Sequence, residues 1–332
     1  MKNKNLLPLL ALFLLLGAAS TWYWLQEKKS SSSPLAEERR FAVEASRIGK
    51  IALVRRDGET IRLERKGSDW QYNGRWKARP TAIANLLDAV TRITIAYKPA
   101  QAAVPNMVKN LATEGIKVEL YSPSGTLLMV YYVGGSTPDE RGTFVIREGY
   151  DQPYVAELPG WEGNLRFRYN LRGEDWRDRS VFAEDPDAIQ WVSIEYPRQR
   201  NQSFRLEKKQ GGFEVTPFHP HVPKSPLPLR PGAAEAFLVG FEQLGAEAFE
   251  NDYPYQDSIR QLLPFAEIAL GYDQGGERKV RFYPIENPAD PSGMPANGET
   301  ERFFAATDEG DFMLVQNRVF RKVFWGYSFF FR

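Results

Sequence analysis

A twelve-residue phrase occurs twice in this chain. "IRLERKGSDWQY" runs from Ile61 to Tyr72, and "FRLEKKQGGFEV" runs from Phe204 to Val215. In the first, Ile61, Leu63 and Arg65 point one way and Arg62, Glu64 and Lys66 the other, the mark of a half-buried strand. A glycine turn follows, and Trp70 and Tyr72 begin a second short strand. Leu206 and Phe213 hold the places of Leu63 and Trp70. A chain that writes one hairpin twice is constrained to build one sheet twice.

The surroundings repeat in the same order. "RIGKIALVRR" and "AIQWVSIEYP" read as opening strands, with Ile51 and Leu53 on one face of the first. "RDGE" at Arg56–Glu59 supplies the Asp-Gly turn of a hairpin. "RPTAIANLLDAVTRI" reads as a helix with Pro80 at its start and Ile83, Leu86, Leu87 and Val90 at helical spacing. "RPGAAEAFLVGFEQLGA" answers it, Arg230-Pro231 for Arg79-Pro80. "VPNMVKNLATEGI" reads as a short helix ending near Gly115, and "YQDSIRQLLPF" takes its place later. Paired hairpins close both halves, followed by "NLRFRYNLRGEDWRDR" in one and "NRVFRKVFWGYSFFFR" in the other. The second tail is unusually aromatic, and its match to the first predicts packing onto its own half. Two Pro-rich insertions, "TPFHPHVPKSPLPLR" and "ENPADPSGMPANGETE", read as surface loops. The expectation is an α+β chain: two tandem repeats of one antiparallel-sheet-plus-helices unit, residues 41–182 and 183–332, meeting near "EDPD".

The N-terminus reads differently. Lys2 and Lys4 precede a nearly uncharged run from Leu6 to Leu25, about the length that crosses a bilayer as a helix. Leu6, Leu12, Phe13 and Leu16 carry its apolar surface. Trp22, Tyr23 and Trp24 stand at its far end, as an interfacial aromatic belt would. The expectation is a transmembrane anchor over 1–27 and a flexible, Ser-rich linker over 28–40. Small residues Gly17–Ser20 also resemble a signal-peptide cleavage site, the competing reading. With a short N-terminal tail inside, the remainder faces outward, which in a bacterium is the periplasm.

Composition removes several functions. The 332 residues carry 43 Lys plus Arg against 42 Asp plus Glu, a net charge of +1, so no field favours nucleic acid. There is no cysteine, which excludes disulfides, thiolate metal sites and a cysteine nucleophile.

An N-terminal anchor followed by "FAVEASRIGKIAL", "LERKGSDW" and a helix with "LLDAV" resembles the bacterial envelope family catalogued as domain of unknown function 4340. The resemblance covers nearly the whole chain after the anchor. It implies a membrane-tethered periplasmic protein, single-pass in the inner membrane, with some relatives similar to accessory parts of ABC-type export systems related to gliding-motility transporters. It brings no agreed catalytic residues and no cofactor.

Few side chains suggest chemistry. His219 and His221 in "FHPHVP" are the only histidines, and two His one residue apart can share a metal in an extended strand. No third ligand is placed by spacing, so a solvent-facing loop is the simpler reading. "RGEDWRDRS" gathers Arg172, Asp175, Trp176, Arg177, Asp178 and Arg179, and its carboxylates could serve acid–base work. Their alternation with arginines points instead to mutual neutralisation, in a clasp between repeats or against a partner. Gly134 and Gly135 in "VGGSTPDERG" lack a phosphate-loop ending and read as a turn.

Together these features suggest a non-enzymatic, membrane-anchored periplasmic interaction or assembly protein. Its partners would be the inner membrane and other envelope proteins, ABC-type transporter components among them. Two alternatives stand beside it. One is a ligand- or glycan-binding protein using a groove between repeats. The other is an envelope hydrolase using Asp175 and Asp178.

Overall fold

The computed structural model describes residues 40–285 and 300–331. The expected anchor, with Leu6, Leu12, Phe13, Leu16, Trp22, Tyr23 and Trp24, lies outside the described residues. So do nearly all of the linker and most of the second Pro-rich insertion. Among the described residues no helix is long and apolar enough to cross a membrane. The chain divides into two compact units between Trp176 and Arg177, a few residues before the position that the repeat pattern suggests. The reason is local. Ser180–Phe182 pairs with Leu244–Gly245, and the Phe182 ring stands edge-on to Phe241 at 5.2 Å, so this stretch packs with the second unit. Each unit is an antiparallel sheet with few helices, an α+β architecture.

The first unit contains strands β1 (Lys50–Val54), β2 (Thr60–Lys66), β3 (Asp69–Tyr72), β4 (Trp76–Lys77), β5 (Thr94–Tyr97), β6 (Ile116–Tyr121), β7 (Leu127–Ser136), β8 (Thr143–Arg147) and β9 (Tyr154–Glu157). They form one sheet in the order β4-β3-β2-β1-β6-β7-β8-β9-β5. Register follows the period-two pattern: Ile51 sits opposite Leu63 and Leu53 opposite Ile61, all four buried on one face. Helix α1 (Pro80–Arg92) links β4 to β5, which lies at the far edge of the sheet. Pro80 fits the first turn because its missing N–H is not needed there. Ile83, Leu86, Ala89 and Val90 join Ile51, Leu63, Val118 and Tyr131 in one core. A fully buried side chain of this size stabilises by about 1.5–3 kcal/mol.

Helix α2 (Val104–Glu114) packs on the opposite face, against β7 and β8. Gly134 and Gly135, expected in a turn, instead end β7. There the β7–β8 register breaks between Val133 and Ser136, and the turn comes later, closed by Thr137 and Gly142. The glycines are needed for close approach. A Cβ on Gly134 would stand 2.7 Å from Asn110 Oδ1 and 3.0 Å from Leu111 Cδ2. The backbone groups freed at the break are satisfied from elsewhere in the unit. Gly135 N–H donates to Asn110 Oδ1 at 2.6 Å, and Arg166 Nη1 donates to the Gly134 carbonyl at 2.8 Å.

The second unit contains β10 (Ser180–Phe182), β11 (Ile189–Glu195), β12 (Phe204–Lys209), β13 (Gly212–Pro217), helix α3 (Ala233–Val239), β14 (Leu244–Gly245), β15 (Ala248–Phe249), helix α4 (Gln256–Arg260), β16 (Ala266–Tyr272), β17 (Glu277–Pro284), β18 (Arg302–Thr307), β19 (Phe312–Gln316) and helix α5 (Asn317–Phe320). Its main sheet runs β13-β12-β11-β16-β17-β18-β19-β15. Phe237 and Leu238 of α3 bury against Val192, Leu206 and Phe282. The aromatic C-terminal tail belongs to this core. Phe330 packs at 4.8 Å from Phe204 and 5.4 Å from Phe237. On the other face Tyr283, Phe304 and Phe312 form a smaller cluster under Tyr253 and Ile259.

The doubled phrase is a hairpin in both places, pair for pair. Leu63 faces Tyr72 and Arg65 faces Trp70. In the second copy Leu206 faces Val215 and Lys208 faces Phe213.

Buried phenols give stability an alkaline limit. Tyr131 and Tyr169 share a hydrogen bond at 3.1 Å, and Tyr196 donates to the Trp325 carbonyl at 2.9 Å. Burial is the main cause that pushes all three above the usual tyrosine range. Unfolded tyrosines lose their protons near pH 10, while these keep theirs, so above pH 10 the unfolded state binds fewer protons. Their contribution is complete below about pH 10 and is lost as pH rises toward the raised folded values. The slope is about 1.4 kcal/mol per pH unit for each. Urea midpoints at pH 9, 10 and 11 should fall progressively, and Tyr196→Phe should flatten the decline by one such share. Equal slopes in the two proteins would refute this origin.

Candidate functional site

The "RGEDWRDRS" segment runs across the division, with Arg172–Trp176 in the first unit and the residues from Arg177 onward in the second. In the first unit, Arg172 Nη1 donates to Asp57 Oδ2 at 2.7 Å and to Glu59 Oε2 at 3.2 Å. Trp176 is fully buried and donates through Nε1 to the Leu171 carbonyl at 2.9 Å, and the Asp175 N–H donates to the Arg172 carbonyl at 2.9 Å. In the second unit, Arg177 forms a two-pronged pair with Asp311 at 3.1 and 2.7 Å. Asp178 Oδ1 accepts from the Ser180 N–H and hydroxyl at 3.1 and 2.8 Å, which caps its own turn. Arg179 donates to the Glu247 carbonyl at 2.6 Å.

His219 and His221 lie in the irregular segment after β13, their rings stacked at 5.5 Å. His219 Nε2 is buried and stands 3.5 Å from Glu195 Oε1, too far or too poorly aligned for a hydrogen bond. Among the described residues no group of three or more His, Asp or Glu side chains could hold a metal ion.

A different place stands out on the face of the first unit that carries α2. Val54 of β1, Lys117 of β6, Tyr132 of β7 and Ile146 of β8 floor a groove walled by Val108, Leu111 and Ala112 of α2. Its volume is about 360 Å³, within the range of small-molecule sites, and its lining is mostly apolar. Val108 remains 41% exposed along it. The local sequence explains the opening. α2 ends where Gly115 N–H bonds back to the Leu111 carbonyl, and a Cβ on Gly115 would meet that oxygen at 2.1 Å. The chain therefore leaves the helix without a side chain to fill the space between it and β1.

A polar cavity of about 290 Å³ adjoins this groove and shares Arg55, Arg56 and Gly115 with it. Arg166, Asn170, Arg172, Asp57 and Glu114 complete the polar side. Arg55 is buried. Its Nη1 donates to Asn170 Oδ1 at 2.8 Å and its Nη2 to the Leu171 carbonyl at 2.9 Å, while Nε lies 3.1 Å from Glu59 Oε2. Arg166 Nη2 donates to the Glu114 carbonyl at 2.8 Å, tying the end of α2 to the cluster. Burial, and then the neighbouring Arg172 charge, lower the Arg55 pKa, and burial lowers that of Arg166. Both remain cations, held with less compensation than they would have in water. Arg56 is exposed and has no hydrogen-bond or ion-pair partner among the described residues.

Sequence reasoning missed this site. Its arginines come from positions 55, 56, 166 and 172, and no local spacing joins them. The sole signal was the pair Arg55-Arg56 placed just before a turn.

Comparison with known proteins is narrow. No curated protein and no solved structure matches the chain. The family model described as domain of unknown function (DUF4340) matches residues 74–258, more than half of the chain and part of each unit. A match of that extent, spanning helices and strands of both units, makes this chain a member of the DUF4340 family.

Proposed function

We propose that this protein is a non-enzymatic, membrane-anchored periplasmic interaction module whose ectodomain arose by tandem duplication, and that it serves as an accessory subunit of an ABC-type export system. The observation that carries the duplication is the shared topology. Leaving aside the short β4, each strand of the first sheet has a counterpart in the second at the same place in the order, and the doubled phrase pairs in the same register. Helices fall between corresponding strands as well: α1 and α3 before the far edge strand, α2 and α4 after it. The apolar run Leu6–Leu25 and the belt Trp22–Trp24 support inner-membrane anchoring. A duplicated scaffold whose copies differ in their outer decoration suits a protein that meets partners rather than one that turns over a substrate.

The test is to cross-link the full chain in membranes, solubilise mildly, and identify what is bound in stoichiometric amount. The proposal expects the chain in the inner-membrane fraction with a permease and an ATPase subunit. A chain that fractionates alone as a monomer overturns it.

A further inference from the structure

We infer that the groove between α2 and the sheet of the first unit binds a single-chain alkyl carboxylate, its tail along the apolar groove and its head against the arginine cluster. Such a ligand neither requires nor excludes a protein partner, so this inference stands apart from the export reading.

The apolar part selects an alkyl chain. Val54, Val108, Leu111, Ala112 and Ile146 offer side chains with no hydrogen-bonding atom. The Tyr132 hydroxyl is already engaged with Glu148 at 3.2 Å, and Lys117 is paired with Glu119 at 3.0 Å and Glu148 at 3.3 Å. A peptide laid there would leave its amides without partners, at a cost of roughly 1–3 kcal/mol for each buried group. A hydrocarbon chain has nothing to satisfy.

The polar end selects the head. Arg55, Arg56, Arg166 and Arg172 face Asp57 and Glu114 in the cavity, with Glu59 bonded to Arg172 behind them. Four cations against three carboxylates leave an excess of one positive charge, which matches a monoanion better than a phosphate dianion. Arg56 lines both the groove and the cavity, so it stands where tail and head would meet. A guanidinium binds a carboxylate through paired, charge-assisted N–H donors. The chain's own N-terminal segment is a poor occupant, because Lys2 and Lys4 would bring cations to this cluster.

The two units differ here. In the second unit the helix after the far edge strand is only Gln256–Arg260, and the corresponding outer strand surface carries the pairs Lys279–Glu267 and Arg281–Glu267 at 3.3 and 2.7 Å. Among the described residues, ion pairs occupy that strand surface of the second unit, where the first unit has the apolar floor of the groove.

The experiment uses the full chain in membrane vesicles and a dodecanoate that carries a photoreactive diazirine at its tail. After irradiation the labelled peptides are mapped by mass spectrometry. Saturable labelling is expected within Val104–Lys117 and at Tyr132 or Ile146, competed by unlabelled dodecanoate at a concentration at least tenfold lower than by dodecyl maltoside. Dodecyl phosphate should compete more weakly than dodecanoate. Arg56→Glu, at an exposed position, should reduce labelling by the carboxylate probe at least fivefold and leave a neutral-head probe unchanged. Val108→Gln should reduce both. Labelling that does not saturate, that maps elsewhere, that ignores the head group or prefers the phosphate, or that survives Arg56→Glu overturns the inference.

Discussion

Trp176→Ala is expected to lower the stability of the first unit by about 3–5 kcal/mol, the usual result of emptying a site filled by a buried tryptophan. Trp176 is fully enclosed within the first core. Its indole N–H holds the Leu171 carbonyl, and its own carbonyl accepts the N–H of Arg79 at 2.8 Å, just ahead of α1. The helix start has no side-chain cap, so the tail of the unit supplies an acceptor there. The alanine variant keeps that backbone acceptor and loses the packing and the indole bond. Trp176→Phe should fall between, since it keeps most of the apolar volume but removes the indole donor and leaves the Leu171 carbonyl with Arg55 Nη2 alone. Urea unfolding gives the magnitude, and hydrogen exchange gives the place. Amides of residues 41–176 should lose protection while those of 177–331 keep theirs. A loss below about 1 kcal/mol, or one spread evenly over both units, would contradict this role.

Arg177→Ala is expected to have a comparable effect on the second unit. The guanidinium is almost fully enclosed, pairs in two prongs with Asp311, and lies 4.2 Å over the Phe249 ring. Removing one member of a buried pair leaves the other as an uncompensated charge, at a cost of about 3–5 kcal/mol. Asn251, which donates to Asp311 Oδ1 at 3.3 Å, softens that only in part. The double variant Arg177→Met with Asp311→Leu should recover part of the loss, because the Asp311 charge is then no longer stranded. Additive losses in the double variant would show that Arg177 acts through packing rather than through the pair.

These two neighbouring residues show what was legible in the sequence and what was not. The β2–β3 and β12–β13 hairpins, α1 and the aromatic tail could be read because their signals are local: alternation of period two, glycine turns, Pro80 ahead of a helical stripe, and a cluster of phenylalanines too apolar to face water. The "RGEDWRDRS" segment was legible as a charge cluster, but partners such as Asp57, Glu59 and Asp311 were not, because they are distant in sequence. Arg172 answers to Asp57 and Glu59, whereas Arg177 answers to Asp311. Gly134 and Gly135 misled for a related reason. Glycine marks turns by local conformation, yet here it serves close approach by α2, which depends on a helix more than twenty residues earlier. The groove was invisible for the strongest form of that reason. Its walls and its four arginines come from β1, α2, β6, β7, β8 and the segment before Trp176, which only the strand order brings together.

That contrast separates scaffold from site. The doubled phrase forms a hairpin in each sheet, and its side chains go to core packing and to solvated strand surfaces in both. Binding is proposed at the groove of the first unit. The most direct measurement is hydrogen exchange of the full chain in lipid nanodiscs with and without dodecanoate. New protection is predicted across Val104–Lys117 and the adjoining end of β7, with residues 61–72 and 204–215 unchanged. Protection confined to 172–179 or to the doubled phrase, or none at all, would contradict the account.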